Sequence, residues 1–345
     1  MTGILHDRRE TLGLLAGAAA LALPSRALAA TREAVIEGAK KEGGLVWYDH
    51  YDRDAVDNIF AAFKKAFPFV KNPEFVDVPS AQKTAKVLQE STAGGPTADV
   101  LLNDASVQQN LHDRGLLLET DWAALGVATS AVTTPAPHMI LALSPFYVIL
   151  YNTDLAKGAD IPGGWDDALD PKWKGRTGHW MRAALFVNLV AALGEDGARD
   201  RVNRLAALRP RLFDGLFPLA QAVASGELAL AITAYDSAIR IVEKGAPVKM
   251  VGLDPTPMGL ICGGILKYGR NPNTARLFLS WLASPEGAKV FEDETKRGNF
   301  FVPGTETSKR LQGLKLSFHA AEQSIREAKK LNALEVEFSR KLAGR

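Results

Sequence analysis

The feature that most constrains this chain is an alternation kept up along most of its length. Short apolar runs of strand length give way, again and again, to stretches with helical spacing. Residues 45–48, 74–78 and 98–102 read as strands. Residues 31–42, 54–67, 81–93 and 107–113 read as helices around them. Within 54–67, Val56, Ile59, Phe60, Phe63 and Phe67 share one face, and Pro68 follows where the helix must stop. A β-α-β-α-β order predicts a mostly parallel sheet with helices laid over it, an α/β fold.

The second half of the chain repeats the style. Strands are predicted over 146–151, 176–180, 228–233 and 248–251. Helices are predicted over 183–193, 237–244, 274–282 and 285–294, with one long charged helix over 320–342. A length of 345 residues suits two domains of ordinary size or one large one. No internal repeat or low-complexity linker divides them.

The first thirty residues read as an address. Arg8 and Arg9 precede a Gly- and Ala-rich apolar run over 12–23. That run is shorter than the roughly 20 residues a bilayer span requires. Ala27-Leu28-Ala29 supplies a small-x-small cleavage pattern, so residues 1–29 are expected to be a removed signal peptide. The arginine pair points to the twin-arginine route, with the general secretory route as the alternative. The mature protein is then expected outside the cytoplasm, in the periplasm, and not embedded in a membrane.

Several function classes drop out. With Lys+Arg 41 against Asp+Glu 39, the net charge of +2 advertises no nucleic-acid partner. A single cysteine, Cys262, excludes an internal disulfide and a Cys-rich zinc site, and its apolar surroundings predict a buried thiol. There is no Gly-x-Ser-x-Gly elbow, no His-Glu-x-x-His helix and no phosphate-binding Gly-x-x-x-x-Gly-Lys loop. The remaining histidines, at 50, 112, 138, 179 and 319, are scattered. The chain is therefore not expected to be an enzyme, with an exported hydrolase as the least favoured reading, and no cofactor is implied.

Five stretches carry a resemblance. They are Glu42-Gly43-Gly44-Leu45-Val46-Trp47-Tyr48 with the helix end Ala62-Phe63-Lys64-Lys65-Ala66-Phe67-Pro68; Ala98-Asp99-Val100 leading to Asn103-Asp104; Tyr151-Asn152-Thr153-Asp154 followed by the Trp- and Pro-containing connector over 165–176; Ala224-Ser225-Gly226-Glu227 followed by Lys244-Gly245-Ala246-Pro247-Val248; and the helix Ala275–Leu282 with Ser284-Pro285-Glu286-Gly287. In this order they resemble periplasmic extracellular solute-binding proteins of the ferric-binding-like group, substrate-binding components of ABC transporters. The resemblance implies a type II periplasmic-binding fold: two α/β lobes, a ligand cleft between them and a hinge. The first lobe would hold 30–137 and 254–295, the second 138–253 and 296–345, with crossings near 137–143 and 248–254. It implies a monomer whose partners are a small-molecule solute and an ABC transporter permease. A receptor serving some other partner remains open.

On that fold the turns over 48–52, 103–106 and 180–182 would face the cleft, each following a strand and preceding a helix. Candidate ligand-binding residues are His50, Tyr51, Asp104, Ser106, Ser144, Tyr147, Trp180, Arg182, Asp214, Phe217, Tyr235 and Asp236. Arg182 stands out, because a guanidinium clamps a carboxylate or phosphonate bidentately. Ferric-binding relatives use His and Tyr as ligands, which makes His50 and Tyr235 an alternative iron site. They carry two adjacent tyrosines where this chain has Ala234-Tyr235, so one hard anionic oxygen is missing. A small organic anion is the expected ligand, ferric iron the alternative.

Overall fold

The computed structural model describes residues 31–80 and 82–344. The expected signal peptide over 1–29 lies outside them. Helix α1 (Arg32–Glu42) is capped by Thr31, whose hydroxyl accepts from the Ala34 N–H at 3.2 Å. It ends at Gly43, which takes the left-handed conformation that glycine adopts without cost. Then follow β1 (Gly44–Asp49), α2 (Arg53–Ala66), β2 (Asn72–Asp77), α3 (Lys83–Thr92), β3 (Val100–Asp104), α4 (Ala105–Asp113) and β4 (Ile140–Leu143).

The chain continues through β5 (Tyr147–Asn152), α5 (Trp165–Ala168), β6 (Thr177–Trp180), α6 (Ala184–Ala207) and β7 (Arg211–Phe213). Next come α7 (Leu216–Ala224), β8 (Leu230–Ala234), α8 (Tyr235–Glu243) and β9 (Val248–Val251). The last part holds β10 (Thr256–Pro257), β11 (Ile261–Ile265), α9 (Pro272–Leu282), α10 (Pro285–Thr295), α11 (Glu306–Leu311), β12 (Leu316–Ser317), α12 (Ala321–Arg326) and α13 (Ala328–Leu342).

Two five-stranded sheets organise these elements, in the orders β2-β1-β3-β11-β4 and β7-β6-β8-β5-β9. Both are mixed, where the alternation predicted mostly parallel sheets. In the first, β1 runs parallel to β2 and β3, while β11 is antiparallel to β3 and β4. In the second, β6 is parallel to β7 and β8, while β5 is antiparallel to β8 and β9. The reversed strands, β11 and β5, lie next to the segments that cross between the lobes, and a strand arriving from the other lobe enters from the opposite end.

The first lobe is held by an aromatic knot. Trp47 of β1 touches Phe60, Phe75, Phe278 and Phe291 with ring centroids 5.3–6.2 Å apart. Helix α2 delivers Val56, Ile59, Phe60 and Phe63 to it, at the spacing its sequence predicts. The second lobe buries Phe186, Leu189, Leu205 and Trp173 around β5 and β8, covered by Leu331, Leu334 and Phe338 of α13.

Sheet membership moves the expected lobe boundaries. β4 belongs to the first sheet, so the crossing falls at residues 144–146 rather than between 137 and 138. β9 belongs to the second sheet, so the return begins after Val251. Residues 296–345 are not all second-lobe: α12 packs on α4 of the first lobe and α13 on α6 of the second. The long helix predicted over 320–342 is accordingly two helices, broken at Glu327 (φ −102°, ψ 10°).

Candidate functional site

Strand register brings the site together. At the carboxyl end of β3, Asp104 stands opposite Ile261, and Ile261 opposite Leu143 of β4. The next residues, Ser144-Pro145-Phe146, cross to β5, whose first residue Tyr147 pairs with Ala234 at the carboxyl end of β8. Tyr235 and Asp236 follow directly. In α/β sheets of this kind, the ends where parallel strands stop and helices begin form the crevice for ligands.

Charge defines the interior of this cleft. Arg182, in the turn between β6 and α6, lies over the Trp180 ring at 5.0 Å. Its Nε and Nη2 donate to the two carboxylate oxygens of Glu335 on α13, at 2.7 and 3.2 Å. Burial works against the Arg182 charge, but Glu335, with help from Asp104, outweighs it and raises the pKa. A guanidinium has five N–H donors. Glu335 takes two, so the edge formed by Nη1 and the outer Nη2 hydrogen remains available.

Tyr147 is buried among these groups. Loss of water raises its hydroxyl's pKa, Arg182 opposes the rise, and Asp236, Asp104 and Glu335 add to it. Asp104 is exposed; partial loss of water raises its carboxyl's pKa, against the pull of Arg182 and Lys83. Its side chain caps no N–H of α4 and finds no hydrogen-bond partner among the described residues.

A second arginine, Arg297, follows the end of α10. Arg297 donates through Nε to Asp236 at 3.0 Å and lies over the Tyr51 ring at 5.2 Å. Burial opposes its charge, and Asp236 with Tyr51 raises its pKa. Desolvation likewise raises the Tyr51 hydroxyl, with Asp49 adding to it and Arg297 opposing. Lys83, itself buried, donates to Asp49 at 2.7 Å and to the Leu102 carbonyl at 2.9 Å. The cleft acids thus have bases of their own, Asp104 excepted.

Of the residues expected at the site, Tyr51 and Asp236 meet through Arg297, and Trp180 and Arg182 lie against each other; Asp104 and Tyr147 stand at the ends of β3 and β5 without a side-chain contact to either group. Ser144 is fully buried on the crossing, and its hydroxyl has no partner among the described residues. Ser106 lies in the first turn of α4. Asp214 lends only its carbonyl, which accepts from Trp180 Nε1 at 3.2 Å. Phe217 turns toward the end of α8, under Lys244.

Both residues of the alternative iron pair have other partners. His50 is exposed and bonded to Asp77 at 2.7 Å, its neighbour across the β1–β2 edge. Tyr235 instead stacks on Phe146 at 4.7 Å, with the Arg310 guanidinium 5.2 Å from its ring. Among the described residues no three His, Cys, Asp or Glu side chains converge as a metal would require.

Glu335 and Arg297 were missed by sequence reasoning, since each meets its site partner only through the fold, 153 and 61 residues away. Cys262 is buried as expected, its pKa pushed up to about 12 by loss of water. A separate hollow of about 800 Å³ opens between α6 and α13, lined by Arg199, Asn332 and Glu337 among others. Arg199 is paired with Glu337 there.

The sequence model of the family described as bacterial extracellular solute-binding protein matches residues 53–294. Solved structures share the fold over most of their length. Iron-bound HitA from Pseudomonas aeruginosa is 19% identical with a TM-score of 0.70, over 86% of this chain and 99% of that one. The periplasmic binding protein AfuA from Actinobacillus pleuropneumoniae, bound to fructose-6-phosphate, is 24% identical with a TM-score of 0.68, over 86% and 99%. An ABC transporter substrate binding protein from Agrobacterium tumefaciens is 16% identical with a TM-score of 0.71, over 87% and 95%. At these identities the likeness is one of fold. No curated protein sequence matches the chain. Among the described residues no helix is long and apolar enough to cross a membrane.

Proposed function

Because the chain belongs to the bacterial extracellular solute-binding proteins, we propose that it captures a small organic solute with an anionic group between its lobes, in the periplasm, and delivers it to the permease of an ABC importer. The observation that carries the ligand class is the state of Arg182. Glu335 grips one side of the guanidinium and Trp180 supports its face. The remaining edge is held in one orientation before any ligand arrives. Less ordering is then left to the binding step, and this is how preorganisation raises affinity. The planar fork matches a carboxylate or phosphonate in a way that a lysine would not.

Iron is the weaker reading, because His50 and Tyr235 are each engaged elsewhere. The test is native mass spectrometry of protein purified without refolding, followed by titration of the identified solute. A charge-assisted bidentate contact contributes about 1.5–3 kcal/mol, so Arg182→Gln is expected to weaken binding roughly 10- to 150-fold. Unchanged affinity in a folded variant speaks against the anion site. A tyrosinate-to-iron absorption band on adding ferric citrate, lost in Tyr235→Phe, speaks for iron instead.

A further inference from the structure

We propose that a hollow on the first lobe, apart from the cleft, is a second binding site, and that its ligand is a small monocarboxylate with an apolar body. The site is independent of the proposed function.

The hollow measures about 540 Å³, a size common among small-molecule sites. Val35 of α1, Arg276 of α9 and the loop over 119–137 line it. Strand register sets it apart from the cleft. Leu143, the last residue of β4, pairs with Ile261 at the end of the sheet where Asp104 stands. The loop instead runs into the first residue of β4, Ile140, and so lies by the opposite end. The walls are fixed without a ligand. The Thr120 N–H donates to the Pro137 carbonyl at 2.9 Å, and Arg32 Nη1 to the Leu125 carbonyl at 3.2 Å.

These walls carry donors that the protein leaves unused. Thr120 and Trp122 both line the hollow and are only 7% and 3% exposed. Neither the Thr120 hydroxyl nor the Trp122 indole nitrogen has a hydrogen-bond partner among the described residues. An indole N–H can only donate. A buried donor without an acceptor has lost hydration with nothing in return, and an acceptor carried by a ligand recovers that cost.

Arg276 supplies the charge. It is partly buried, and its one hydrogen bond among the described residues runs from Nη1 to the Pro272 carbonyl at 3.3 Å. Burial lowers its pKa, and Glu42 opposes the fall. Both oxygens of Glu42 are already taken, accepting from the backbone and side chains of Asn273 and Thr274 at 2.6–3.1 Å. The acids of the lining are engaged as well: Asp121 accepts from the Ala124 N–H, and Glu119 meets His112. One guanidinium without an acid partner calls for one negative charge, and its planar fork fits a carboxylate. Glu119 and Asp121, both exposed, repel a second. Val35, Leu125 and Pro137 leave the rest of the wall apolar, which suits an apolar body.

The experiment follows the indole N–H resonances of Trp122 and Trp180 by nitrogen–proton NMR on the full mature chain, assigned with Trp122→Phe and Trp180→Phe. Trp122 reports on the hollow and Trp180 on the cleft. Benzoate is the probe, benzamide its uncharged match and phthalate its dianionic one. Benzoate is expected to shift the Trp122 resonance saturably, with a millimolar or tighter dissociation constant. Benzamide and phthalate should bind at least about tenfold more weakly, as should benzoate to a folded Arg276→Gln. No shift of Trp122 at about 20 mM benzoate, where a millimolar site is mostly filled, overturns the proposal. So does benzamide or phthalate binding as tightly as benzoate, or a shift confined to Trp180, which is binding in the cleft alone. These comparisons use the unsubstituted protein, so they stand even where Arg276→Gln does not fold. A folded Arg276→Gln that binds benzoate as the wild type does overturns it too.

Discussion

At the scale of the residue, His179 ties stability to the floor of the site. Its ring is fully buried against Phe186, with Nδ1 donating to the Trp180 carbonyl and Nε2 without a partner among the described residues. Burial pushes its pKa down to about 4 from 6.5, with the Trp180 bond opposing. The folded state thus holds the ring neutral, whereas the unfolded chain takes up a proton below pH 6.5. The stabilisation is present in full above that pH and is lost as pH falls toward 4. Between pH 7 and pH 5 the loss amounts to about 2 kcal/mol. His179→Asn, which keeps a donor for Trp180, should therefore lose less stability than wild type over that interval in denaturant titrations. His138, stacked on His112 and also lowered to about 4, contributes in the same window and remains in the variant. Equal losses in both proteins would show that His179 is protonated without cost. The residues of the site were legible to the extent that each sits at a strand end. Which of them are free was not, because Glu335 reaches Arg182 only across the fold.

Elements add what single residues do not. Helix α8 of the second lobe is tied to the first lobe along its length. Arg240 donates to Asp52 before α2 at 2.6 Å and to the Thr295 carbonyl at the end of α10 at 3.1 Å. Lys296 meets Glu243 at 3.4 Å, and Arg297 meets Asp236. Asp52 and Glu243 are exposed, at 70% and 50%, so the outer pairs are each weak. Together they bias the lobes toward each other by about 1–2 kcal/mol. Arg240→Gln with Lys296→Gln should therefore weaken solute binding roughly 5- to 30-fold, mostly through a less populated closed state. High salt should bring wild type toward the double variant, since exposed pairs are screened. Affinity of wild type insensitive to salt, or an affinity of the variant equal to wild type, removes the latch. Patterning predicted most of these helices, because their apolar spacing is local. Strand β11 escaped it: Gly263 and Gly264 leave no alternating pattern. Their hydrogens are required by the close approach of Leu279 on one side and Gln108 on the other.

The whole molecule turns on the segments that join its lobes. The family resemblance implied two crossings, each at or within a few residues of where sheet membership sets it. Nothing local distinguishes Ile140–Leu143, which ends one lobe, from Tyr147–Asn152, which begins the other; both are buried throughout. A third connection, through residues 296–299, was not visible at all. The three lie side by side. The Ser144 N–H donates to the Gly298 carbonyl at 2.8 Å, the Gly259 N–H to the Pro145 carbonyl at 2.7 Å, and Phe146 bridges Met258. Segments bonded to one another in this way resist shear and leave bending as the easy motion, so the lobes should swing as two bodies about this strip. A solute held by Arg182 on one lobe and touched by the other lobe as well binds the closed arrangement better than the open one, and only such a difference shifts the population. Small-angle scattering with the solute identified by mass spectrometry is therefore expected to show compaction at saturation. Arg182→Gln at the same fractional occupancy should compact less, having lost its grip from the second lobe. A scattering profile that stays unchanged at saturation would mean that the cleft is already closed without ligand, and the hinge would have no part in capture.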